Sequence, residues 1–195
     1  MNDKIAIAIF ASGKGTNADN IISYFEKIQN CKVSLVVTDK EDAGVLSIAE
    51  RHQVDSITVN KEERKDYQHC MRELEKRDIQ YIVLAGYLKK IPEALIKQFP
   101  NKIINIHPAL LPSYGGKGMY GKHVHEAVIA NHEKQSGITI HFVDEHYDNG
   151  DIIFQAACEV SPEDTPESLA SKVHELEYAH FPRVIHEVIE KQRQR

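Results

Sequence analysis

Residues Lys4–Phe10 (KIAIAIF) form an unbroken apolar run. The Gly-rich turn Ala11–Asn17 separates them from a stretch with apolar side chains at Ile21, Ile22, Phe25 and Ile28. A continuous apolar run suits a strand buried on both faces, the environment of a parallel sheet. The later spacing puts its apolar residues on one face of a helix. Strand, tight turn and amphipathic helix make half of a βαβ unit, and the pattern recurs. Strands are expected at Lys32–Thr38, Asp55–Val59, Gln80–Ala85 and Lys102–Asn105. Helices are expected at Gly44–Arg51, Glu62–Lys76 and Pro92–Gln98, the last with Pro in its first turn. This alternation predicts an α/β fold built on a doubly wound, mostly parallel sheet.

After Pro112 the pattern changes. Ser113–Lys122 holds four glycines and reads as a mobile loop. A helix is expected at Val124–Asn131. Strands at Gly137–Val143 and Asp151–Val160, joined by Asp144–Gly150, predict a C-terminal antiparallel hairpin. Thr165-Pro166-Glu167-Ser168 is a helix start, with a Thr cap and Pro at the first helical position. The long closing helix should run to about Glu190, bent at Pro182. With no internal repeat and no linker, residues 1–195 are expected to form a single domain.

The strand at Lys102–Asn105 runs into Asn105-Ile106-His107-Pro108-Ala109-Leu110-Leu111-Pro112. In a parallel α/β sheet ligands bind at the carboxyl ends of strands. Alternation puts Asn105 and His107 on one face of an extended segment. An amide that donates hydrogen bonds beside an imidazole that moves protons suits acyl transfer. There a tetrahedral intermediate needs oxyanion donors and its leaving group needs a proton. The acidic loop Asp144–Asp151 can supply a carboxylate facing His107, and a carboxylate beside an imidazole favours the imidazolium. Spacing alone leaves Asp144, Asp148 and Asp151 open.

Ser12-Gly13-Lys14-Gly15-Thr16-Asn17 lies between the first strand and the first helix, where backbone N–H groups bind phosphate. It is not a Walker A loop. It does match G-x-G-x-x-A through Gly13, Gly15 and Ala18, with Asp39 about twenty residues on, a dinucleotide-like spacing. His123 and His125 lack a third ligand at zinc spacing, so no metal is expected. His141, inside an apolar strand, reads as a satisfied core histidine.

Composition narrows the partners. A net charge of −5 and a pI near 6.1 exclude a general nucleic-acid binder. Cys31, Cys70 and Cys158, with no C-x-x-C, argue against a disulfide framework and suit a reducing cytosol. There is no signal-peptide apolar core and no apolar run long enough to span a bilayer. A cytoplasmic monomer or homodimer acting on small molecules is expected, without nucleic-acid or membrane partners.

Four blocks occur in order: S-G-x-G-T-N (Ser12–Asn17), L-A-G-Y (Leu84–Tyr87), N-I-H-P-A-L-L-P (Asn105–Pro112) and H-F-V-D-E-H-Y-D-N-G (His141–Gly150). From Ile5 to about Ile189 the chain resembles the 10-formyltetrahydrofolate-dependent formyltransferases, and most closely their glycinamide ribonucleotide branch. The resemblance implies a Rossmann-like formyltransferase fold. It also implies transfer of a formyl group from 10-formyltetrahydrofolate, as co-substrate and without a metal, to the amine of glycinamide ribonucleotide in purine biosynthesis. By the same resemblance the catalytic residues are Asn105, His107 and Asp148. Substrate contacts fall on Gly15, Thr16 and Asn17 and on His174, Glu175, Leu176 and Glu177. Folate contacts fall on Arg64, Leu88, Lys89, Lys90, Ile91 and Asn105, and on Asp144, Glu145, His146, Tyr147 and Asp148.

The chain differs from the family pattern in a longer, more Gly-rich loop at Gly115–Lys122 and in the polarity of Lys89-Lys90. Transfer to another amine, as in methionyl-tRNA formyltransferase, and deformylation are the alternatives within the family. The former would carry Arg-Gly after Leu-Leu-Pro, where this chain has Ser113-Tyr114, and a further C-terminal domain. The latter would carry an additional N-terminal domain. Outside the family the alternatives are an NAD-dependent oxidoreductase, suggested by Gly13, Gly15, Ala18 and Asp39, and a non-catalytic nucleotide-binding module. The oxidoreductase leaves Asn105–Pro112 and the acidic loop unexplained.

Overall fold

In the computed structural model, which describes residues 4–194, strand β1 (Ile5–Phe10) is buried at every position. Its apolar run therefore serves both faces of a sheet, as the sequence predicts. The chain divides into two units, one ending at Ile104 and one beginning at Asn105.

The first unit alternates strand and helix. β1 is followed by α1 (Thr16–Phe25), β2 (Cys31–Thr38), α2 (Val45–Arg51), β3 (Ser56–Thr58), a 3-10 turn (Glu63–Lys65), α3 (Gln68–Lys76), β4 (Ile79–Leu84) and α4 (Glu93–Gln98), and β5 (Ile103–His107) then begins. β1 pairs in parallel with β2 and β4, and β2 in parallel with β3. Ala18, Ile21, Ile22 and Phe25 are the buried stripe of α1. One expected element is broken. The helix foreseen over Glu62–Lys76 stops at Lys65 and restarts at Gln68, because Tyr67 takes a left-handed conformation with φ 55°. A bulky residue there interrupts the helical hydrogen-bond ladder.

The second unit holds α5 (Lys122–Ala130), the antiparallel pair β6 (Gln135–Phe142) and β7 (Ile152–Glu159), and α6 (Pro166–Arg193). Thr165 caps α6 through a reciprocal box: its Oγ1 accepts from Ser168 N–H, and its own N–H donates to Ser168 Oγ. The helix continues through Pro182 to Arg193, 28 residues in all. The seven strands are ordered β3-β2-β1-β4-β5-β6-β7 in a mostly parallel sheet. This is the doubly wound architecture expected, with β5 running on to His107 rather than ending at Asn105. No helix among the described residues is long and apolar enough to cross a membrane.

A titratable contact joins two helices of the first unit. At the end of α2, His52 Nε2 lies 2.7 Å from Asp19 Oδ1 and Nδ1 lies 2.8 Å from Glu26 Oε1. Both ring nitrogens donate only when the imidazole is charged. The hydrogen bond to Asp19, then that to Glu26, raises the His52 pKa above 6.5. A raised folded-state value gives stability that is full below the unfolded pKa and is lost as pH rises through the folded one. His52→Gln should therefore lower the melting temperature most at pH 5.5–6, and the deficit should shrink towards pH 9. Thermal melts across that range check it; a deficit independent of pH would deny the ion pairs their part.

Candidate active site

Asn105 and His107 sit at the end of β5, and Pro108 ends the strand. The segment that follows is fixed by buried polar ties. Thr139 Oγ1, on β6, donates to the Ala109 carbonyl and accepts from Leu111 N–H. Gln155 Nε2, on β7, donates to both Thr139 Oγ1 and the Leu111 carbonyl. With the chain pinned on both sides, His107 is 3% exposed. Its Nε2–H donates to the Tyr114 carbonyl at 2.7 Å, and its Nδ1 lies 3.6 Å from Asp148 Oδ2.

Of the three candidate carboxylates, Asp148 faces His107. Asp148 has φ 52°, and Gly150, two residues on, lies where a Cβ would meet the Phe142 carbonyl oxygen at 1.9 Å. No side chain fits at Gly150, so the backbone passes close to Phe142 there. Asp144 holds the loop together instead, accepting from His146 N–H and Asn149 Nδ2. The loop read as mobile is tied to the same pair of side chains. Besides the Tyr114 carbonyl on His107, Gly116 N–H donates to Asp148 Oδ2 at 2.9 Å. Tyr114 Oη donates to Glu133 Oε1 and accepts from Asn131 Nδ2. A Cβ on Gly115 would lie 2.6 Å from Leu111 Cδ2, so the backbone here is close-packed.

In the first unit, Gly15 caps α1 with φ 82°, and the first helical hydrogen bond runs from Asp19 N–H to the Gly15 carbonyl. The N–H groups of Thr16 and Asn17 thus precede the ladder, where the positive end of the helix dipole favours an anion. Ser12 links this turn to the segment after β4: its N–H donates to the Gly86 carbonyl, and its Oγ accepts from Leu88 N–H. Arg64 and Lys89 meet at Asp39, whose Oδ2 lies 3.3 Å from Arg64 Nη1 and 3.5 Å from Lys89 Nζ. Both cations engage Oδ2 alone, and Oδ1 is buried without a hydrogen-bond partner among the described residues.

A family model described as formyl transferase matches residues 5–185. The chain belongs to the formyl transferase family. It is 39% identical to "Phosphoribosylglycinamide formyltransferase, chloroplastic" of Arabidopsis thaliana over 94% of this chain and 65% of that protein. Against "Phosphoribosylglycinamide formyltransferase" of Bacillus subtilis (strain 168) it is 35% identical over 93% of each. The chain spans 65% and 61% of the lengths of two plant relatives, from Arabidopsis thaliana and Vigna unguiculata. Its structure is similar to the crystal structure of phosphoribosylglycinamide formyltransferase from Bacillus halodurans. The TM-score is 0.88 and the identity 35%, covering 96% of each chain.

For a formyl transferase the remaining expected contacts lie on α6. His174 Nδ1 is 2.9 Å from Glu177 Oε2, and that hydrogen bond raises the His174 pKa. Glu177 is buried, while Glu175 is exposed. His123 and His125 point apart, as residues two positions apart on a helix must. His123 is exposed beside Glu126, whereas His125 is buried and its pKa is lowered by that burial. The acidic loop presents Tyr147 to solvent, and Ile91 is buried. His141 is the satisfied core histidine expected, 2% exposed with a partner on each ring nitrogen. The partner on Nε2 was not foreseen: it is Asn105 Nδ2 at 3.0 Å, with Asp148 Oδ1 at 3.7 Å. The signal available in the sequence was its place seven residues before Asp148 within the H-F-V-D-E-H-Y-D-N-G block.

Proposed function

We propose that the chain transfers the formyl group of 10-formyltetrahydrofolate to the amine of glycinamide ribonucleotide. The observation that carries the reading is the gathering of Asn105, His107 and Asp148 at the end of β5, in a member of the formyl transferase family. The amine nitrogen attacks the formyl carbon and a C–N bond forms. The tetrahedral oxyanion accepts hydrogen bonds from Asn105 and His107. The bond to the folate nitrogen then breaks, and that nitrogen takes a proton that His107 helps deliver while the attacking amine gives one up. Asp148 orients the His107 ring. In the chain alone, Nε2–H of His107 is given to the Tyr114 carbonyl. Reaction requires that this hydrogen bond be exchanged for one to the substrate, with residues 113–121 yielding as it happens.

The same reading docks the phosphate of glycinamide ribonucleotide on the N–H groups at Gly15–Asn17 and its ribose on His174–Glu177. Folate would lie along Arg64, Leu88–Ile91 and Asp144–Asp148. The cations at Arg64 and Lys89 suit an anionic part of that co-substrate. No step calls for a metal, and a cytoplasmic enzyme of purine biosynthesis is the setting. Mixing the protein with both substrates and following folate absorbance tests it. The expected result is one N-formyl product per tetrahydrofolate released. Folate release without a formylated amine would point to deformylation instead. NAD(H) binding by calorimetry would support the oxidoreductase.

A further inference from the structure

His141, the penultimate residue of β6 between Ile140 and Phe142, is 2% exposed, yet each ring nitrogen has a polar partner. Nδ1–H donates to the Phe142 carbonyl at 2.8 Å. A neutral ring whose proton is fixed on Nδ1 has only a lone pair on Nε2. Asn105 Nδ2–H donates to that lone pair at 3.0 Å. The contact sets which way round the Asn105 amide stands, because its oxygen cannot face a lone pair. The sheet is modified at this position. Pairing of β6 with β7 slips between Ile140 and His141, so that Ile140 faces Phe154 while His141 faces Ile152. An irregularity of this kind re-aims the side chain beside it.

Resting on the formyl-transfer reading, we propose that His141 is a positioning residue: as the neutral Nδ1–H tautomer it holds the Asn105 amide so that the remaining N–H is aimed at the formyl oxygen. Burial lowers the pKa of His141 and keeps the ring neutral. The Phe142 carbonyl and the carboxylates of Asp148 and Asp144 oppose that shift, and His107 reinforces it. Protonation replaces the Nε2 lone pair with an N–H. The Asn105 amide must then turn to offer its oxygen, and Asp148 Oδ1, 3.7 Å from Nε2, becomes a second acceptor. A turned amide presents its oxygen to the developing oxyanion, which opposes the reaction.

The test compares wild type with His141→Gln and His141→Leu. It reads kcat and KM from pH 5 to 8.5, with side-chain amide NMR of Asn105 recorded without substrates. Gln places a non-titrating amide oxygen near the position of Nε2; Leu removes the acceptor. His141→Gln should keep kcat within about threefold at pH 8, and His141→Leu should lose about tenfold or more with both KM values little changed, a fraction of a lost oxyanion donor. Wild type should show an acid limb below pH 6.5 that His141→Gln lacks. A limb from the substrate amine is shared by every variant, so the difference between wild type and His141→Gln is the quantity read. The Asn105 amide signals should move with a titration that vanishes in His141→Gln. A His141→Leu enzyme with wild-type kcat, or an acid limb unchanged in His141→Gln, overturns the proposal. Should the wild-type chain transfer no formyl group, the parent reading falls. The substrate-free NMR then decides alone, and Asn105 signals indifferent to His141 overturn the pairing.

Discussion

Asp148→Asn should lower kcat by roughly 10²-fold, the scale of a lost acid–base contribution, while Asp144→Asn should change it far less. The two carboxylates are four residues apart in one loop, and the structure separates their work. Asp148 turns one oxygen to His107 and Gly116 and the other to His141. Asp144 spends both oxygens on its own loop, on His146 N–H and Asn149 Nδ2. The Asn substitution keeps the volume of Asp148 and removes its charge, so a simple packing loss is excluded. It also sets an amide where His107 and Gly116 face acceptor oxygens. A single-turnover assay isolates the chemical step from binding. If Asp144→Asn proves the more damaging change to that step, the carboxylate assignment is wrong and Asp144 belongs beside His107.

The fold was legible where burial is simple. β1 lies under both faces of the sheet, so every residue is apolar and the run announces itself. The capping of α6 was legible because Thr165, Pro166 and Ser168 act on their own neighbours. What could not be read depends on contacts distant in sequence or on backbone choices that side-chain type does not dictate. Tyr67 breaks a periodic helical stretch by adopting a positive φ, and nothing in its chemistry demands that conformation. Asn105 and His107 were visible because two functional groups share one strand end. Their third partner was ambiguous because Asp144, Asp148 and Asp151 share a loop. Contacts in the folded loop separate Asp148 from Asp144: Asp148 Oδ2 lies 3.6 Å from His107 Nδ1, while Asp144 accepts from His146 N–H and Asn149 Nδ2. His141 is the satisfied core histidine expected, but its partner was hidden, because a buried histidine between apolar residues has the same sequence pattern whichever group it touches. Its tie to Asn105 spans 36 positions.

Gly15→Ala should lower the melting temperature by roughly 5–15 °C, an effect on stability that the phosphate-loop reading alone does not foresee. The sequence offers a ligand-side reason for glycine here, close approach of backbone to phosphate. The structure adds a reason from within the chain. A Cβ on Gly15 would lie 2.8 Å from Val45 Cα and 2.9 Å from Val45 Cβ, at the first residue of α2. Backbone atoms cannot swing aside as a flexible side chain does, and Val45 N–H is tied to the Gly13 carbonyl at 3.1 Å. The φ of 82° adds the penalty of a left-handed L-residue, about 1–2 kcal/mol. Overpacking adds about 1–3 kcal/mol. In a chain of this size each kcal/mol shifts the melting point by roughly 2–4 °C. Gly13→Ala is the contrast, because a Cβ there meets nothing within 4 Å and should leave the melting point nearly unchanged. It is therefore the better probe of ligand approach, and a weaker affinity for glycinamide ribonucleotide in Gly13→Ala at unchanged stability would place the phosphate against this turn. Thermal melts of both variants decide the stability claim. A Gly15→Ala protein that melts with wild type would show that α2 yields to the extra carbon, leaving the ligand as the reason for the glycine.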